Sequence, residues 1–391
     1  MDVLVAPNAF KHSLSATQAA ESIIAGLRSS AFAGGVRMHP VGDGGDGTAE
    51  LLRHHLGGAV VSVPVHDPLG RRIDAPLSLV EGGRVAVVEV AAASGLRLLR
   101  AGELDPLRAT SAGTGDLIRR ALDLGASEVL LCIGGSATVD GGAGLLHALG
   151  ARFLDAAGNA LEPLPASLLT LASVDLTRLD ARLGQCRLKV LCDVANPLLG
   201  ERGAARVYGP QKGASAAVVA TLEALLDRFR CVIRDATGND VADLPRGGAA
   251  GGIAATLSAL LGAELASGID LFLGRTHFDA ALDGASCVIT GEGSIDEQTL
   301  EGKAPWGVAV RSRARGALVL GVAGQVPLLP VPSLNAVFDA LIPICHGPMT
   351  PADAIAATAE NLRRTARQIG NCLSFAGRLN DPQDHHGDGH Q

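Results

Sequence analysis

The chain has 391 residues, of which 47% are hydrophobic and 50 are glycine, and its mean hydropathy is +0.28. This length is enough for two or three domains with large apolar cores. The formal net charge of −7 argues against nucleic acid as a partner, since such binding needs a basic surface, although local groups can still bind a small anion. The glycines are not periodic, which excludes a collagen-like chain.

Cysteine usage and the first residues of the chain indicate a cellular compartment. The seven cysteines include no C-x-x-C pair, and several lie in apolar strands, which predicts reduced thiols. The chain starts directly with an apolar strand and shows neither a secretory signal nor an apolar run long enough to cross a membrane. These features predict a cytoplasmic protein with neither nucleic acid nor membrane as partner.

The chain opens with a β-loop-α unit. Residues 2–7 are predicted to form a strand, and the loop after it carries Lys11. Ser15 and Gln18 have the spacing of a capping box, which predicts that a helix begins there. Because open α/β sheets bind ligands at the carboxyl ends of their strands, Lys11 is a candidate ligand-binding residue.

The second strand, residues 37–41, leads into the acidic glycine loop GDGGDGT of residues 42–48. This loop satisfies the G-x-G-x-x-G pattern of dinucleotide-binding proteins. Two aspartates inside it, Asp43 and Asp46, would repel a pyrophosphate. Carboxylates in a glycine loop suit Mg²⁺ better, since this ion takes hard oxygen ligands and bridges phosphate oxygens.

Short alternating strands are predicted from residue 60 to residue 90, separated by turn signals at 67–70 and 81–83. Glu89 lies in an otherwise apolar strand and is interpreted either as a paired core carboxylate or as a site residue. Residues 110–115, TSAGTG, are predicted to open a helix that ends at residue 125.

The stretch LLCIGGSATVDGGAGL, residues 130–145, is predicted to be a buried strand, a glycine loop and the start of a helix. Glycines allow a backbone to approach a ligand closely, and the N-terminus of the next helix favours an anion. An anion is therefore expected at the loop made by Gly134, Gly135, Ser136, Ala137 and Thr138. Asp140 follows this loop.

Later segments repeat the order of strand, polar loop and helix. The strand 187–193 ends in Asp193, and the loop 208–213 carries Lys212 ahead of an amphipathic helix predicted over 215–236. The strand 285–290 precedes a loop that contains Gly291, Glu292, Gly293 and Asp296, and Lys303 precedes another helix. A strand is predicted at 317–323, a last strand at 337–342, a closing helix over 351–372, and a disordered tail over 377–391.

The chain contains only four lysines, and Lys11, Lys212 and Lys303 lie in glycine-containing loops. A chain that otherwise uses arginine indicates a need for a compact ammonium at these places. Aspartates at strand ends, together with these lysines and without a nucleophile motif, suit phosphoryl transfer. That reaction requires bound phosphates, a held metal ion and one carboxylate that accepts a hydroxyl proton.

The chain resembles the glycerate kinase type I family, which phosphorylates D-glycerate with ATP. The motifs that carry this resemblance are APNAFKHSLSA (6–16), GDGGDGT (42–48), EVAAASGL (89–96), IGGSATVDGGAG (133–144), CDVANPLLGERGAARVYGPQKGA (192–214) and TGEGSIDEQTLEGKAPWGVA (290–309). The resemblance implies an α/β kinase with a flavodoxin/Rossmann-like domain, residues 1–65 and 285–373, and a second α/β domain inserted at 66–284. It implies 2-phosphoglycerate as product, with 3-phosphoglycerate as the alternative, and leaves a homodimer open.

Site roles are assigned with this resemblance in view. The catalytic candidates are Lys11, Asp43, Asp140, Asp193 and Lys303, with Asp140 or Asp193 as the base. Mg²⁺ is expected at Asp43, Asp193 and Asp296, and ATP at Gly134–Thr138, Gly291, Glu292, Gly293 and Asp296. The candidates for binding glycerate are Lys212, Ser94 and Arg71.

Three residues depart from the family motifs. Asn8 stands where an acidic residue is usual, Asp46 where a glutamate is usual, and Ser294 where an arginine is frequent. Asp46 keeps the charge with a shorter reach. Asn8 and Ser294 favour an alternative, a sugar-acid sensor without catalysis, and the 42–47 loop keeps an NAD(P)-dependent dehydrogenase as a third hypothesis.

Overall fold

The structure, a computed structural model, describes residues 1–161 and 165–379. The chain divides into two compact units. Unit 1 consists of residues 1–42 and the described residues from 273 onward. Unit 2 consists of the described residues of 43–272.

The strands of the described residues are β1 Val3–Val5, β2 Val36–Met38, β3 Gly58–His66, β4 Arg72–Val80, β5 Val85–Glu89, β6 Glu128–Cys132, β7 Arg152–Leu154, β8 Ala160–Leu161, β9 Ser173–Asp175, β10 Arg187–Cys192, β11 Glu264–Ser267, β12 Cys287–Ser294, β13 Leu318–Gln325 and β14 Ala340–Pro343. The helices are α1 Ala16–Arg28, α2 Thr48–Leu56, α3 Val90–Ser94, α4 Ala112–Asp123, α5 Ala143–Ala148, α6 Ala204–Tyr208, α7 Ala216–Thr237, α8 Ile253–Leu261, α9 Gly268–Arg275, α10 Phe278–Ala281, α11 Ala304–Ala314, α12 Pro332–Asn335, α13 Pro351–Ala356 and α14 Thr358–Leu379.

Unit 1 contains a parallel sheet with the strand order β14-β13-β12-β1-β2. This is the doubly wound order of flavodoxin-like folds, and ligands of such folds bind at the carboxyl ends of the strands where the order reverses. Here the reversal lies between β1 and β12. Apolar residues of these strands and of α1 and α14 form the core, including Val5, Ile23 and Leu362.

Unit 2 contains a mixed sheet with the order β11-β10-β6-β5-β4-β3. The strands β5, β6, β10 and β11 are parallel, so their carboxyl ends lie at one edge of the sheet. The strands β3, β4 and β5 are antiparallel neighbours, as the alternating pattern over 60–90 predicts. A second, three-stranded sheet has the order β8-β7-β9. The α/β class is therefore confirmed.

The two units divide at residues 42/43 and 272/273, whereas the predicted domain boundaries lie at 65/66 and 284/285. Residues 43–66 pack with unit 2, because β3 pairs with β4 along its whole length from Gly58 to His66. The N–H of Ala49 in α2 also donates to Glu89 at the end of β5. The β3–β4 hairpin and the bond from Ala49 to Glu89 therefore place residues 43–66 with unit 2, and the predicted domain boundaries stay a prediction.

Local signals succeed where they involve neighbouring residues. The capping box of Ser15 and Gln18 is confirmed at the start of α1. The closing helix, predicted as one segment, is broken at Ala357, where the Thr358 hydroxyl bonds the carbonyls of Ala354 and Ile355. Residues 377–379 continue α14, so predicted disorder is wrong for them, and residues 380–391 lie outside the described residues.

The strand β12 is longer than predicted, because residues 291–294 belong to it. Gly291 pairs with Val322 of β13, and a Cβ at Gly291 would lie 1.9 Å from the carbonyl oxygen of Val322. Gly291 therefore allows the two backbones to pair this closely, although in the sequence the same glycine predicts a loop.

Two further features follow from the structure. The seven cysteines, all within the described residues, are free thiols, in agreement with the prediction. Across residues 1–161 and 165–379, the helices are too short or too polar to cross a bilayer.

Candidate active site

The acidic glycine loop of residues 43–47 lies against the carboxyl ends of the parallel strands in unit 2. A Cβ at Gly44 would lie 2.8 Å from the carbonyl oxygen of Leu191 in β10, and Gly44 has a φ of 93°. A Cβ at Gly268, directly after β11, would lie 1.7 Å from the carbonyl oxygen of Asp43. Only glycine at these positions permits the loop to lie this close to the strand ends.

The loop of residues 134–138, which follows β6, contacts the acidic loop. The N–H of Gly134 donates to the carbonyl of Gly44 over 3.2 Å. A Cβ at Gly134 would lie 2.7 Å from the Cα of Gly45. Two of the motifs singled out in the sequence therefore meet at the ligand-binding edge of the sheet.

Two predicted metal ligands also belong to this edge. Asp43 is 7% exposed, and its Oδ1 accepts the N–H of Gly45 over 3.1 Å. Asp193 directly follows β10 and is half-buried. Among residues 1–161 and 165–379, no group of three His, Cys, Asp or Glu side chains could hold a metal by itself. One or two carboxylates completed by phosphate oxygens and water are the usual Mg²⁺ donors, so Asp43 and Asp193 fit that ion in this mode and not as a closed protein cage.

Glu89, interpreted from the sequence either as a paired core carboxylate or as a site residue, lies in the same region. It ends β5, is 8% exposed, and its Oε1 accepts the N–H of Ala49 over 2.9 Å near the start of α2. Burial raises the pKa of Glu89 to about 7, and the charge of Asp46 acts in the same direction, while the Ala49 N–H and Arg97 oppose it. Glu89 therefore secures the helix that follows the acidic loop. Its one signal in the sequence is a charge within an apolar strand.

Replacing Glu89 by glutamine is expected to remove a pH dependence of stability. The pKa in the folded state, about 7, exceeds the ordinary 4.5, so the folded state binds the additional proton. The contribution of protonated Glu89 to the free energy of unfolding is fully present below pH 4.5 and is lost as the pH rises through 7. Across this pH range the free energy of unfolding of the wild type should fall by about 3 kcal/mol relative to that of the Glu89→Gln variant. Urea unfolding in the presence of EDTA measures this difference.

The matched control is Glu50→Gln, which changes an exposed glutamate of α2. Its stability should follow the wild-type curve at every pH. Parallel curves for wild type and Glu89→Gln would contradict the prediction and show that Glu89 stays ionised in the folded protein.

Asp140 is wholly enclosed, with 0% exposure. Its carboxylate accepts hydrogen bonds from the N–H and Oγ of Ser111, over 2.8 and 2.7 Å, and from the N–H groups of Gly142 and Gly144, over 3.0 and 3.2 Å. Burial raises the pKa of Asp140, and these donors oppose the rise. This geometry favours a role in joining two loops over the predicted role of base.

Lys212 is 2% exposed and lies beneath the 134–138 loop. Its Nζ donates to the Oγ of Ser136 over 2.9 Å and to the carbonyl of Thr138 over 2.7 Å. Burial lowers the pKa of Lys212 to about 7, and the charge of Asp140 opposes this effect. The ammonium is thus directed at the predicted anion-binding loop from inside the protein.

The two other candidates for binding glycerate have partners within unit 2. The Oγ of Ser94 lies 2.8 Å from Oγ1 of Thr114, and Ser94 is fully buried. Arg71 bonds Asp67 over 2.5 Å and Glu103 over 2.8 Å. Their predicted role stays a prediction, since each side chain would have to share or exchange a partner in order to reach a substrate.

In unit 1, predicted site residues follow the ends of β1 and β12. The N–H of Asn8 donates to the carbonyl of Gly291 over 2.8 Å, and the Asn8 Oδ1 accepts the N–H of Ala9 over 2.8 Å. Lys11, three residues after Asn8, is exposed. The Asn8 loop is thereby joined to the Gly291 motif at the point where the strand order reverses.

The remaining predicted residues of unit 1 lie around the end of β12. Glu292 is 7% exposed, with its Oε1 3.4 Å from the hydroxyl of Thr299. Asp296 caps the helical turn that follows, since its Oδ1 accepts the N–H of Gln298 over 2.9 Å. Lys303 is half-buried and precedes the first residue of α11.

A pocket of about 650 Å³ in unit 2 borders two of the predicted glycerate-binding residues. It is lined by Leu69, Gly102, Glu103, Leu104, Asp105, Pro106, Leu107, Arg108, Gly213 and Val218. Glu103 bonds Arg71 over 2.8 Å, and Gly213 directly follows Lys212.

Carboxylates and glycine loops at the carboxyl ends of parallel strands, in both units, define a ligand-binding α/β enzyme. Residues 3–374 match the glycerate kinase family. A glycerate kinase of Bacillus subtilis is 42% identical over 96% of this chain and 98% of its own. A glycerate 2-kinase of Escherichia coli is 41% identical over 97% of this chain and 99% of its own. A crystal structure from Salmonella typhimurium LT2, provisionally described as glycerate kinase 2, is 43% identical and has a TM-score of 0.82. The match covers 97% of this chain and 99% of that one.

The chain belongs to the glycerate kinase family, as the motifs in the sequence indicate. The protein is an enzyme, a kinase. Membership of this family favours the kinase over the sensor and the dehydrogenase that the departing residues and the 42–47 loop suggest.

Proposed function

We propose that the protein transfers the γ-phosphoryl group of ATP to the 2-hydroxyl of D-glycerate and forms 2-phosphoglycerate and ADP. The observation that carries this proposal is the contact between the acidic loop at Gly44 and the anion-binding loop at Gly134. It brings a buried carboxylate, Asp43, and a cradle of backbone N–H groups to one sheet edge, which suits a phosphate with its cation. The name of the Escherichia coli relative supports the 2-hydroxyl as acceptor.

In this proposal Mg²⁺, when bound with ATP, neutralises phosphate charge and orients the transferred group. Asp43 holds the ion together with phosphate oxygens and water, which leaves Asp193 available as the base. Phosphate oxygens are bound by the backbone N–H groups of Gly135, Ser136 and Thr138, since those of Gly134 and Ala137 donate to the carbonyls of Gly44 and Ser94.

The base is Asp193, since Asp140 is enclosed and already accepts four hydrogen bonds. A half-buried carboxylate at a strand end can accept the hydroxyl proton of glycerate, which an enclosed one cannot reach.

Residues of unit 1 complete the proposal. Lys11 and Lys303 supply positive charge for phosphate oxygens. Gly291, Glu292, Gly293 and Asp296 are proposed to bind the nucleotide, since they lie at the end of β12 where flavodoxin-like folds bind ligands. Binding of the glycerate carboxylate is assigned to Arg71 in unit 2, because Ser94, the other candidate, is fully buried and bonded to Thr114.

The test is an incubation of the purified protein with ATP, Mg²⁺ and D-glycerate, with ADP release followed by a coupled assay and the product identified by phosphorus NMR. Glycerate-dependent ADP release with 2-phosphoglycerate as product is the expected result. Formation of 3-phosphoglycerate would correct the acceptor position, and ADP release equal to that of the glycerate-free control would overturn the proposal.

A further inference from the structure

Lys212 occupies a place that substrate recognition does not explain. It ends a short helical turn, residues 210–212, between α6 and α7, and its ammonium is enclosed within unit 2. Burying an ammonium is costly unless the charge has polar partners. Both of its hydrogen-bond acceptors, the Oγ of Ser136 and the carbonyl of Thr138, belong to the anion-binding loop.

The opposite charge lies two residues further along the same segment. Asp140 attracts the ammonium electrostatically and anchors the segment to Ser111. The loop is thus held between a buried cation at Ser136 and Thr138 and a buried anion at Asp140. A side chain that served mainly to bind glycerate would not need to direct two hydrogen bonds into this loop.

Backbone hydrogen bonds hold Gly134, Gly135 and Ala137, whereas Lys212 holds the loop through the side chain of Ser136 and the carbonyl of Thr138. The N–H of Gly134 bonds the carbonyl of Gly44, and the N–H of Ala137 bonds the carbonyl of Ser94 over 2.9 Å. A Cβ at Gly251 would lie 2.1 Å from the carbonyl oxygen of Thr138, so this carbonyl is confined on a second side as well.

We propose that Lys212 is a positioning residue, which fixes the shape of the 134–138 loop from inside the protein and acts on the phosphates of the nucleotide through that loop. The inference rests on the proposed function in one respect, since the nucleotide is the ligand assigned to the loop. It differs from glycerate binding, the role that the sequence suggests for Lys212, because both hydrogen bonds of the ammonium go to the loop.

The test combines Lys212→Met, Ser136→Ala and the double variant. The matched control is Lys189→Met, which removes the lysine of β10 that pairs with Glu264 at the surface over 2.9 Å. Two readouts are needed: hydrogen exchange of the amides of residues 134–138 in the ligand-free protein, and the separate KM values for ATP and D-glycerate.

Lys212→Met is expected to speed exchange of the Gly134 and Ala137 amides about tenfold and to raise KM for ATP about tenfold, with KM for glycerate changed less than about twofold. Ser136→Ala should shift both quantities in the same direction by a smaller factor. The double variant should resemble Lys212→Met, since Ser136→Ala removes one of the two hydrogen bonds that Lys212→Met already removes. Lys189→Met should match wild type.

A selective rise in KM for glycerate with unchanged loop exchange would overturn the inference and make Lys212 a substrate-binding residue. Absence of glycerate-dependent turnover in the wild type would contradict only the proposed function. The exchange rates of the loop amides would still decide the role of Lys212. If Lys212→Met fails to fold, Ser136→Ala decides: faster loop exchange supports the inference, and unchanged exchange overturns it.

Discussion

Replacing Asp43 by asparagine is expected to lower kcat by about two to three orders of magnitude, the size of effect seen when one stabilising polar group is removed from an active site. The variant should fold normally, because the asparagine oxygen can still accept the N–H of Gly45. What it lacks is the negative charge that the proposed Mg²⁺ site requires. Steady-state kinetics over a range of Mg²⁺ concentrations, with thermal denaturation alongside, measure both consequences.

The control for this prediction is Asp279→Asn, which neutralises an exposed aspartate of α10 that pairs with Arg311 over 3.1 Å. Its turnover should equal that of the wild type. Turnover of Asp43→Asn within about threefold of wild type would remove Asp43 from the mechanism, since the loss of a metal-holding charge cannot be that small.

Replacing Gly268 by alanine is expected to destabilise the protein strongly. The new methyl group would lie 1.7 Å from the carbonyl oxygen of Asp43 and 2.9 Å from the N of Gly44, so the acidic loop would have to move. Overpacking against backbone atoms costs about 3 kcal/mol. Both the melting temperature and kcat should fall, because the displaced loop carries Asp43.

Gly274→Ala provides the matched control within the same helix, α9. An added Cβ at Gly274 has no atom within 4 Å, and alanine is the better helix former, by up to about 1 kcal/mol. This variant should be as stable as wild type or slightly more stable, with unchanged turnover. Equal stability of Gly268→Ala and Gly274→Ala would show that the close approach at Asp43 is not maintained in solution.

Much of the fold can be predicted because its signals are local. A capping box needs only Ser15 and Gln18, and alternating apolar residues identify β3, β4 and β5 without knowledge of their partners. Glycine loops after strands likewise indicate a ligand-binding edge before the sheet is known. The α/β class and the positions of the candidate loops therefore follow from the sequence.

Other features depend on contacts that the sequence does not show. Residues 43–66 lie in unit 2, where β3 pairs with β4 and the N–H of Ala49 bonds Glu89, and the motif at Gly291 lengthens β12 because β13 lies beside it. Three other candidates have side-chain partners that the sequence does not indicate, since Ser94, Arg71 and Lys212 are all bonded within unit 2.

By itself the sequence determines which chemistry this protein carries: carboxylates and lysines in glycine loops, arranged in the motifs of the glycerate kinase family. The tertiary structure alone decides which of these groups can be reached. Asp140 and Lys212 resemble Asp193 and Lys11 in the sequence, yet Asp140 and Lys212 are enclosed and bonded to loop residues, whereas Asp193 is half-buried and Lys11 is exposed. The physical reason is that the type of a residue is encoded locally, whereas its burial and its hydrogen-bond partners come from segments far along the chain.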